Sequence, residues 1–253
     1  MARLGDVELV GGVRLSTVLV VDRERDRRIP TRVAEPRARP ADGCPVVAFG
    51  HGFLQQPSRY DSLLAAVASR GYHVVAPDTE TGPWPDHGRL ADDVWRVATW
   101  ARDVVPWTGA GRGLALAGHS MGAGVALLAA SRHLEADAVV TLAAVQTRPR
   151  IPVRDIAAPT LFVVGSQDRI VVPERTRRLY DAVTAPAQWA LVDGGFHCGF
   201  LDRARWRDAG CDHGDLARRE QLDTTARLVG DWLEARFRGG AFAAPPGVHL
   251  EQR

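Results

Sequence analysis

The sequence predicts an α/β domain in which helices cover both faces of a mostly parallel sheet. Short apolar runs without alternation are typical of strands that are buried on both faces. Such runs recur at residues 45–49, 72–76, 113–118, 138–144, 159–165 and 188–192. Segments with helical spacing separate them, as expected when each strand connects to a parallel neighbour through a helix. The 253 residues suffice for one such domain with a substantial core.

Helices are predicted where apolar residues share one face and where capping or breaking residues mark the ends. Their approximate bounds are 58–70, 90–105, 123–130, 173–183 and 220–237. Extended runs at 13–21 and 29–33 flank a charged turn, which predicts an edge hairpin. We therefore expect one domain over residues 1–240, in which residues 1–40 form the edge hairpin and a loop. Residues 241–253 are expected to be a frayed tail, with 188–192 as the last strand.

Composition excludes several classes of function. A net charge of +2 gives no reason to expect a nucleic-acid or anionic-membrane partner. No stretch approaches the length of a membrane span. The first residues include acids where a signal peptide needs an apolar core, so we expect no targeting segment and a cytoplasmic location. The sequence leaves the oligomeric state open.

The chain is organised around the pentapeptide Gly118-His-Ser-Met-Gly122, which lies between an apolar run and a helical segment. Strand, G-x-S-x-G and helix together predict a nucleophile elbow, a turn so sharp that the serine hydroxyl stands clear of the sheet. Side chains two residues to either side would collide there, which explains both glycines. The helix N-terminus also favours developing negative charge near Ser120.

A serine hydroxyl needs a base to take its proton and an acid to orient that base, in the chain order Ser, Asp or Glu, His. Asp168 follows the strand at 159–165 and is the predicted acid, although an aspartate in such a turn also often binds its own backbone. His197 follows the strand at 188–192 in a glycine-rich loop and is the predicted base.

The tetrahedral intermediate needs two backbone N–H groups as an oxyanion hole. One is expected from Met121, the residue after the nucleophile. The other is expected from the early loop at residues 50–54, with Phe53 the predicted donor. His51 and His119 flank these turns, and we expect them to orient the loops by hydrogen bonding.

These segments resemble an α/β-hydrolase over roughly residues 45–200. The stretches 47–60 and 68–78, the elbow, and the loops of Asp168 and His197 are similar to the branch that contains chlorophyllases, cutinase-like polyester hydrolases and dienelactone-hydrolase-like proteins. The resemblance implies the α/β-hydrolase fold and acyl-transfer chemistry without selecting a substrate.

The chain departs from this branch in two ways. Polyester hydrolases carry a Pro-Trp pair after the strand that follows the elbow helix, whereas this chain has Ala144-Val145-Gln146. Dienelactone hydrolases use cysteine where this chain has Ser120.

Some 15 residues separate the strand at 138–144 from the next strand, too few for a helical lid domain, so we expect an open, shallow site.

The sequence therefore predicts a serine hydrolase that cleaves small or exposed carboxylic esters through an acyl-enzyme and needs no cofactor. An acyltransferase or thioesterase with the same triad remains an alternative, as does a non-catalytic binding protein on a hydrolase scaffold. The predicted substrate pocket consists of Leu54, Trp84, His119, Val145 and Phe196.

The three cysteines are Cys44, Cys198 and Cys211. Cys198 directly follows the predicted base, and a bond to Cys211 would restrict a polar loop, but two reduced thiols are equally compatible with the sequence. A zinc tetrad of His197, Cys198, Cys211 and His213 is the metal alternative. It would remove the base from an otherwise complete triad, so we expect no metal.

Overall fold

The computed structural model describes residues 8–10, 12–38, 40, 43–108, 113–203 and 211–253. Within these described residues, ten strands form one sheet in the order β1-β2-β3-β5-β4-β6-β7-β8-β9-β10. The strands are β1 Glu8–Val10, β2 Val13–Asp22, β3 Arg27–Pro36, β4 Val46–Gly50, β5 His73–Pro77, β6 Leu114–His119, β7 Ala138–Leu142, β8 Thr160–Gly165, β9 Ala187–Val192 and β10 Val248–Gln252. The helices are α1 Asp61–Ser69, α2 His87–Val104, α3 Met121–Arg132, α4 Pro173–Ala182 and α5 Arg218–Arg238.

The centre of the sheet is parallel and its edges are antiparallel. Strands β5, β4, β6, β7, β8 and β9 run parallel to one another. The hairpin of β2 and β3 joins this set through antiparallel pairing of β3 with β5. The predicted α/β architecture is confirmed. All carboxyl ends of the parallel strands meet at one edge of the sheet, where catalytic loops are expected.

Two apolar cores lie on opposite faces of the sheet. Helices α2, α3 and α4 pack with one core, and α1 and α5 pack with the other. Each of β4 to β8 is buried along its whole length, which explains why these strands are unbroken apolar runs in the sequence.

The prediction of a frayed C-terminal tail is wrong. Residues Val248–Gln252 form β10, which pairs antiparallel with β9, so the strand at residues 187–192 is not the last one. The ion pair between Arg177 and Glu251 (2.8 Å) adds a contact from α4. The glycines and prolines of 239–247 made the whole tail resemble a loop, although the five residues after them alternate in exposure like an edge strand.

The connection between β7 and β8 contains one 3₁₀ turn, Val153–Asp155, and no helical lid, in agreement with its short length. Within the described ranges, no helix has both the length and the apolar character needed to cross a bilayer. Residues 1–7, in which the sequence predicts no targeting segment, lie outside the described residues, and so do residues 204–210 between the two cysteines.

Candidate active site

Ser120 stands at the turn between β6 and α3. Its φ of 54° and ψ of −117° lie in a region that residues other than glycine rarely adopt, which is the backbone strain expected of a nucleophile elbow. The N–H of Ser120 donates to the carbonyl of Leu142 at the end of β7 (2.8 Å), and the carbonyl of Ser120 accepts from the N–H groups of Ala123 and Gly124. These bonds hold the strained turn, and the serine side chain is left half-buried.

Glycines bring the elbow into direct backbone contact with the loop that follows β4. A Cβ added to Gly122 would overlap the carbonyl of Gly50 and lie 2.6 Å from the carbonyl oxygen of His51. A Cβ added to Gly118 would lie 2.7 Å from the nitrogen of Ala123. Because Gly122 and Gly50 lack side chains, the loop after β4 can pack onto the start of α3. The missing side chain of Gly118 keeps the elbow tight.

The predicted oxyanion donors lie next to this contact in the chain. Phe53 belongs to the loop after β4, and Met121 is the first residue of α3. Within the described part of the chain, neither backbone N–H donates to a protein acceptor. Leu54 has a φ of 56°, which turns the loop sharply beside Phe53. Unpaired N–H groups at a helix N-terminus and an adjacent loop are suited to bind an oxyanion.

A buried polar chain links this loop to the elbow. The N–H of Gly52 donates to the hydroxyl oxygen of Tyr60 (3.0 Å), and the Tyr60 hydroxyl lies 2.9 Å from Nδ1 of His119. Burial raises the pKa of Tyr60, so the hydroxyl remains protonated and donates a hydrogen bond to Nδ1 of His119. Burial and the neighbouring His197 hold the pKa of His119 well below its ordinary value, so His119 is a neutral acceptor.

His51 connects the same loop to the segment after β5. Its Nδ1 lies 2.9 Å from the carbonyl oxygen of Gly52, and its Nε2 lies 2.8 Å from the carbonyl oxygen of Thr79. Both His51 and His119 are thus placed where the sequence predicts loop-orienting histidines.

Asp168 and His197 are joined by a buried hydrogen bond. Nδ1 of His197 donates to Oδ2 of Asp168 (2.7 Å), and the two residues are 5% and 3% exposed. The other carboxylate oxygen, Oδ1, accepts from the N–H groups of Ile170 (2.9 Å) and Val171 (2.7 Å). Asp168 therefore binds its own turn and orients the histidine at the same time, because its two oxygens are used separately.

The His197 ring lies against the elbow. Its centroid is 4.6 Å from that of His119, the residue that precedes the serine. The structure thus brings the loops after β6, β8 and β9 together at the carboxyl edge of the sheet. Nucleophilic acyl transfer would need serine, histidine and aspartate side chains from these three loops to lie next to one another.

Sequence reasoning missed the polar residues that hold the base. Gln221 of α5 is fully buried; its Oε1 accepts from the N–H of Phe196 (3.0 Å) and its Nε2 donates to the Phe196 carbonyl (2.8 Å). Gly199 is required beside it, since a Cβ there would overlap the Gln221 amide. A signal existed, because Gln221 lies on the same helical stripe as the buried Thr225 and Leu228.

The structure joins Cys198 and Cys211 in a disulfide with a Cα–Cα distance of 5.7 Å. Because the bond uses both sulfurs, the zinc alternative has lost two of its four ligands. In the described ranges, no cluster of three or more histidine, cysteine or acidic side chains could hold a metal ion. Cys44 is buried and takes no part in the disulfide.

The predicted pocket residues separate into two groups. Leu54 and Trp84 are 52% and 92% exposed, and Val145 is half-buried with its carbonyl against Gly124. His119 and Phe196 differ from the prediction, because both are buried and engaged in the polar chain or the core. They contact the elbow and the loop of His197 and leave almost no exposed surface for a ligand.

Comparison with known families agrees with this geometry. The family model described as Chlorophyllase matches residues 12–150, which is more than half of the chain and includes the elbow and the oxyanion loop. The chain belongs to the chlorophyllase family. A second model, described as Alpha/beta hydrolase family, matches residues 98–220 and includes Ser120, Asp168 and His197. A search of curated proteins finds none that matches this chlorophyllase-family chain.

Proposed function

We propose that the protein is a serine hydrolase that cleaves carboxylic esters through an acyl-enzyme. The observation that carries the proposal is the buried Asp168–His197 pair beside a serine on a strained turn. Buried charged and strained groups are costly to maintain, and they occur together where catalysis needs them. A binding protein on the same scaffold would not need this arrangement.

The proposed reaction uses each group in turn. Oγ of Ser120 attacks the ester carbonyl carbon while Nε2 of His197 takes the hydroxyl proton. Asp168 stabilises the imidazolium, and the N–H groups of Phe53 and Met121 bind the oxyanion. The alcohol leaves with the proton from His197. A water molecule, activated by the same histidine, then releases the acid and regenerates Ser120.

Exposed apolar residues surround this edge of the sheet and support an apolar ester as substrate. They are Phe53, Leu54, Trp84, Ile170 and Val172, which follow the carboxyl ends of β4, β5 and β8. Together with the short β7–β8 connection, they fit an ester that is small or protrudes from a larger apolar molecule. The natural substrate class is therefore proposed to be an accessible carboxylic ester.

Two measurements test the proposal. A fluorophosphonate should label the wild-type protein and not Ser120→Ala, and a panel of p-nitrophenyl esters should show a preference for short acyl chains without interfacial activation. A chlorophyll should be assayed separately, because the matching family model is described as Chlorophyllase. Ser120→Ala and His197→Ala should each abolish turnover, because the groups act as one unit. Near-normal turnover by a folded Ser120→Ala protein would refute the mechanism.

The pH dependence gives a further check. The base must be neutral to accept a proton, so kcat/KM should rise with pH across the acidic range in which the imidazolium loses its proton. His119 remains neutral over this range because burial and His197 hold its pKa well below the ordinary value. The acidic limb should therefore correspond to one proton, and a limb of two protons would contradict the assignment of His119.

A further inference from the structure

Asp212 binds both catalytic loops at once. Its Oδ2 accepts from the N–H of Arg169 (3.0 Å), the residue after the acid, and from the N–H of His197 itself (2.9 Å). Its Oδ1 accepts from the N–H of Cys198 (3.0 Å). The residue is 8% exposed, so a carboxylate at this position is nearly excluded from water.

Burying a carboxylate is costly unless hydrogen bonds replace its hydration. Three backbone N–H groups use most of the acceptor capacity of this carboxylate, and all three belong to the loops that carry Asp168 and His197. Such charge-assisted bonds are roughly twice as strong as those between neutral groups. The contact is therefore a strong link between two loops that come from different strands.

The other hydrogen bonds between these two loops do not hold the backbone of His197. The N–H of Gln167 donates to the carbonyl of Gly195 (2.8 Å), and Ser166 is hydrogen-bonded to Val192 and Gly194. These bonds join the loops upstream of both catalytic side chains. The hydrogen bond between Asp168 and His197 joins their side chains. Asp212 alone among the described residues binds the backbone of the base and the backbone next to the acid.

We propose that Asp212 is a positioning residue for the catalytic pair, whose carboxylate fixes the loop of His197 relative to the loop of Asp168. This inference rests on the proposed hydrolase function. The backbone alignment matters because the histidine must face the aspartate on one side and the serine on the other, and a displacement of about 1 Å costs about 10²-fold in rate. The disulfide at Cys211 holds the segment that carries Asp212 against Cys198.

The charges around the base also favour this role. Asp168 and Asp212 bind His197, His119 beside it is neutral, and Arg218 donates to the carbonyls of Cys198 and Leu201. The negative charge of Asp212 counteracts the positive charge of Arg218 and favours the imidazolium that forms during the reaction. Loss of Asp212 should therefore affect both the alignment and the protonation of the base.

The test compares Asp212→Asn, Asp212→Ala and the control Asp223→Asn on the full-length protein. Asp223 lies on the exposed face of α5, where its side chain is 68% exposed. Active sites are counted by fluorophosphonate labelling, so that kcat refers to folded enzyme only. We expect kcat to fall about 10-fold for Asn and up to about 10²-fold for Ala, with little change in KM. The acidic limb of kcat/KM should move to lower pH, because the imidazolium loses a stabilising charge.

The outcomes separate this inference from the function on which it rests. If Asp212→Asn has a lower melting temperature but normal kcat per labelled site and an unchanged acidic limb, Asp212 is only structural and the inference is overturned. A wild-type protein that neither reacts with the fluorophosphonate nor hydrolyses esters overturns both proposals. The isosteric Asn variant tests whether Asp212 positions His197 even if the Ala variant does not fold.

Discussion

The nucleophile side and the acid–base side of the site are stabilised in different ways. At the nucleophile side, backbone packs directly on backbone, because Gly50, Gly118 and Gly122 lack side chains. At the acid–base side, Gly165 also packs on the backbone of Gly195, and in addition buried polar side chains from distant segments bind the backbone, as Asp212 and Gln221 do. The nucleophile side depends mainly on the absence of side-chain atoms, whereas the acid–base side depends also on specific hydrogen bonds.

This difference predicts different responses to mutation. An added methyl group on the nucleophile side meets backbone that cannot move without disrupting the sheet, so the effect should be large. A lost hydrogen bond on the acid–base side leaves other contacts in place, so the effect should be graded. The following substitutions are arranged by their expected effect on turnover.

Gly122→Ala should have the largest effect. The new Cβ would overlap the carbonyl of Gly50, forcing the oxyanion loop away from the elbow. We expect a loss of about 10²-fold or more in kcat, as for removal of an oxyanion donor, and a loss of about 1–3 kcal/mol in the free energy of unfolding. Kinetics and chemical denaturation measure the two effects.

Gly82→Ala is the matched control for this substitution. A Cβ at Gly82 meets no atom within 4 Å, so its stability should be close to that of the wild type. If Gly122→Ala retained wild-type kcat and stability, close backbone packing would not be what holds the nucleophile side.

Tyr60→Phe tests the Gly52–Tyr60–His119 polar chain on the nucleophile side. The substitution leaves the N–H of Gly52 and Nδ1 of His119 without their partner in a buried place. An unsatisfied buried group costs about 1–3 kcal/mol, and we expect a comparable loss of stability with about 10-fold lower kcat. KM should change little, because Tyr60 is fully buried.

The matched control is Tyr72→Phe. Tyr72 is equally buried, but its hydroxyl has no hydrogen-bond partner among the described residues. Removing a buried hydroxyl without a partner should leave the free energy of unfolding unchanged or raise it, whereas Tyr60→Phe should lower it. Equal effects of the two substitutions would show that the Gly52–Tyr60–His119 chain has no special role.

The same contrast explains what the sequence could predict. The strands are continuous apolar runs because both faces are buried, and the elbow needs glycines at fixed spacing, so each leaves a local pattern. The loops of Asp168 and His197 follow from chain order at the strand ends. Asp212 and Gln221 bind partners 15 and 25 residues away. Helical spacing marks Gln221 as part of a buried stripe, but no local pattern shows which residue either side chain binds. Strand β10 was missed because its pairing with β9 overrides the turn-forming residues before it.

The disulfide should have the smallest effect on turnover, although it lies next to the base. The double variant Cys198→Ser, Cys211→Ser should lose up to about 3 kcal/mol of stability, since the bond closes a loop of 13 residues. Asp212 continues to bind the backbone of His197 in that variant, so we expect kcat to fall only a few-fold. Thermal unfolding and ester kinetics, each with and without reductant, measure the effects, and reductant should change the wild type but not the variant.

Thiol counting on denatured, unreduced protein decides whether the bond forms in the isolated protein. One reactive thiol, that of Cys44, is expected, and three would exclude the bond. The sequence predicts a cytoplasmic location, where thiols stay reduced, whereas a structural disulfide is typical of oxidising compartments.

If the bond is present and its loss lowers stability but hardly lowers kcat, the acid–base side is aligned mainly by hydrogen bonds. A loss of kcat as large as that of Asp212→Ala would instead make the covalent bond the main device that positions the base.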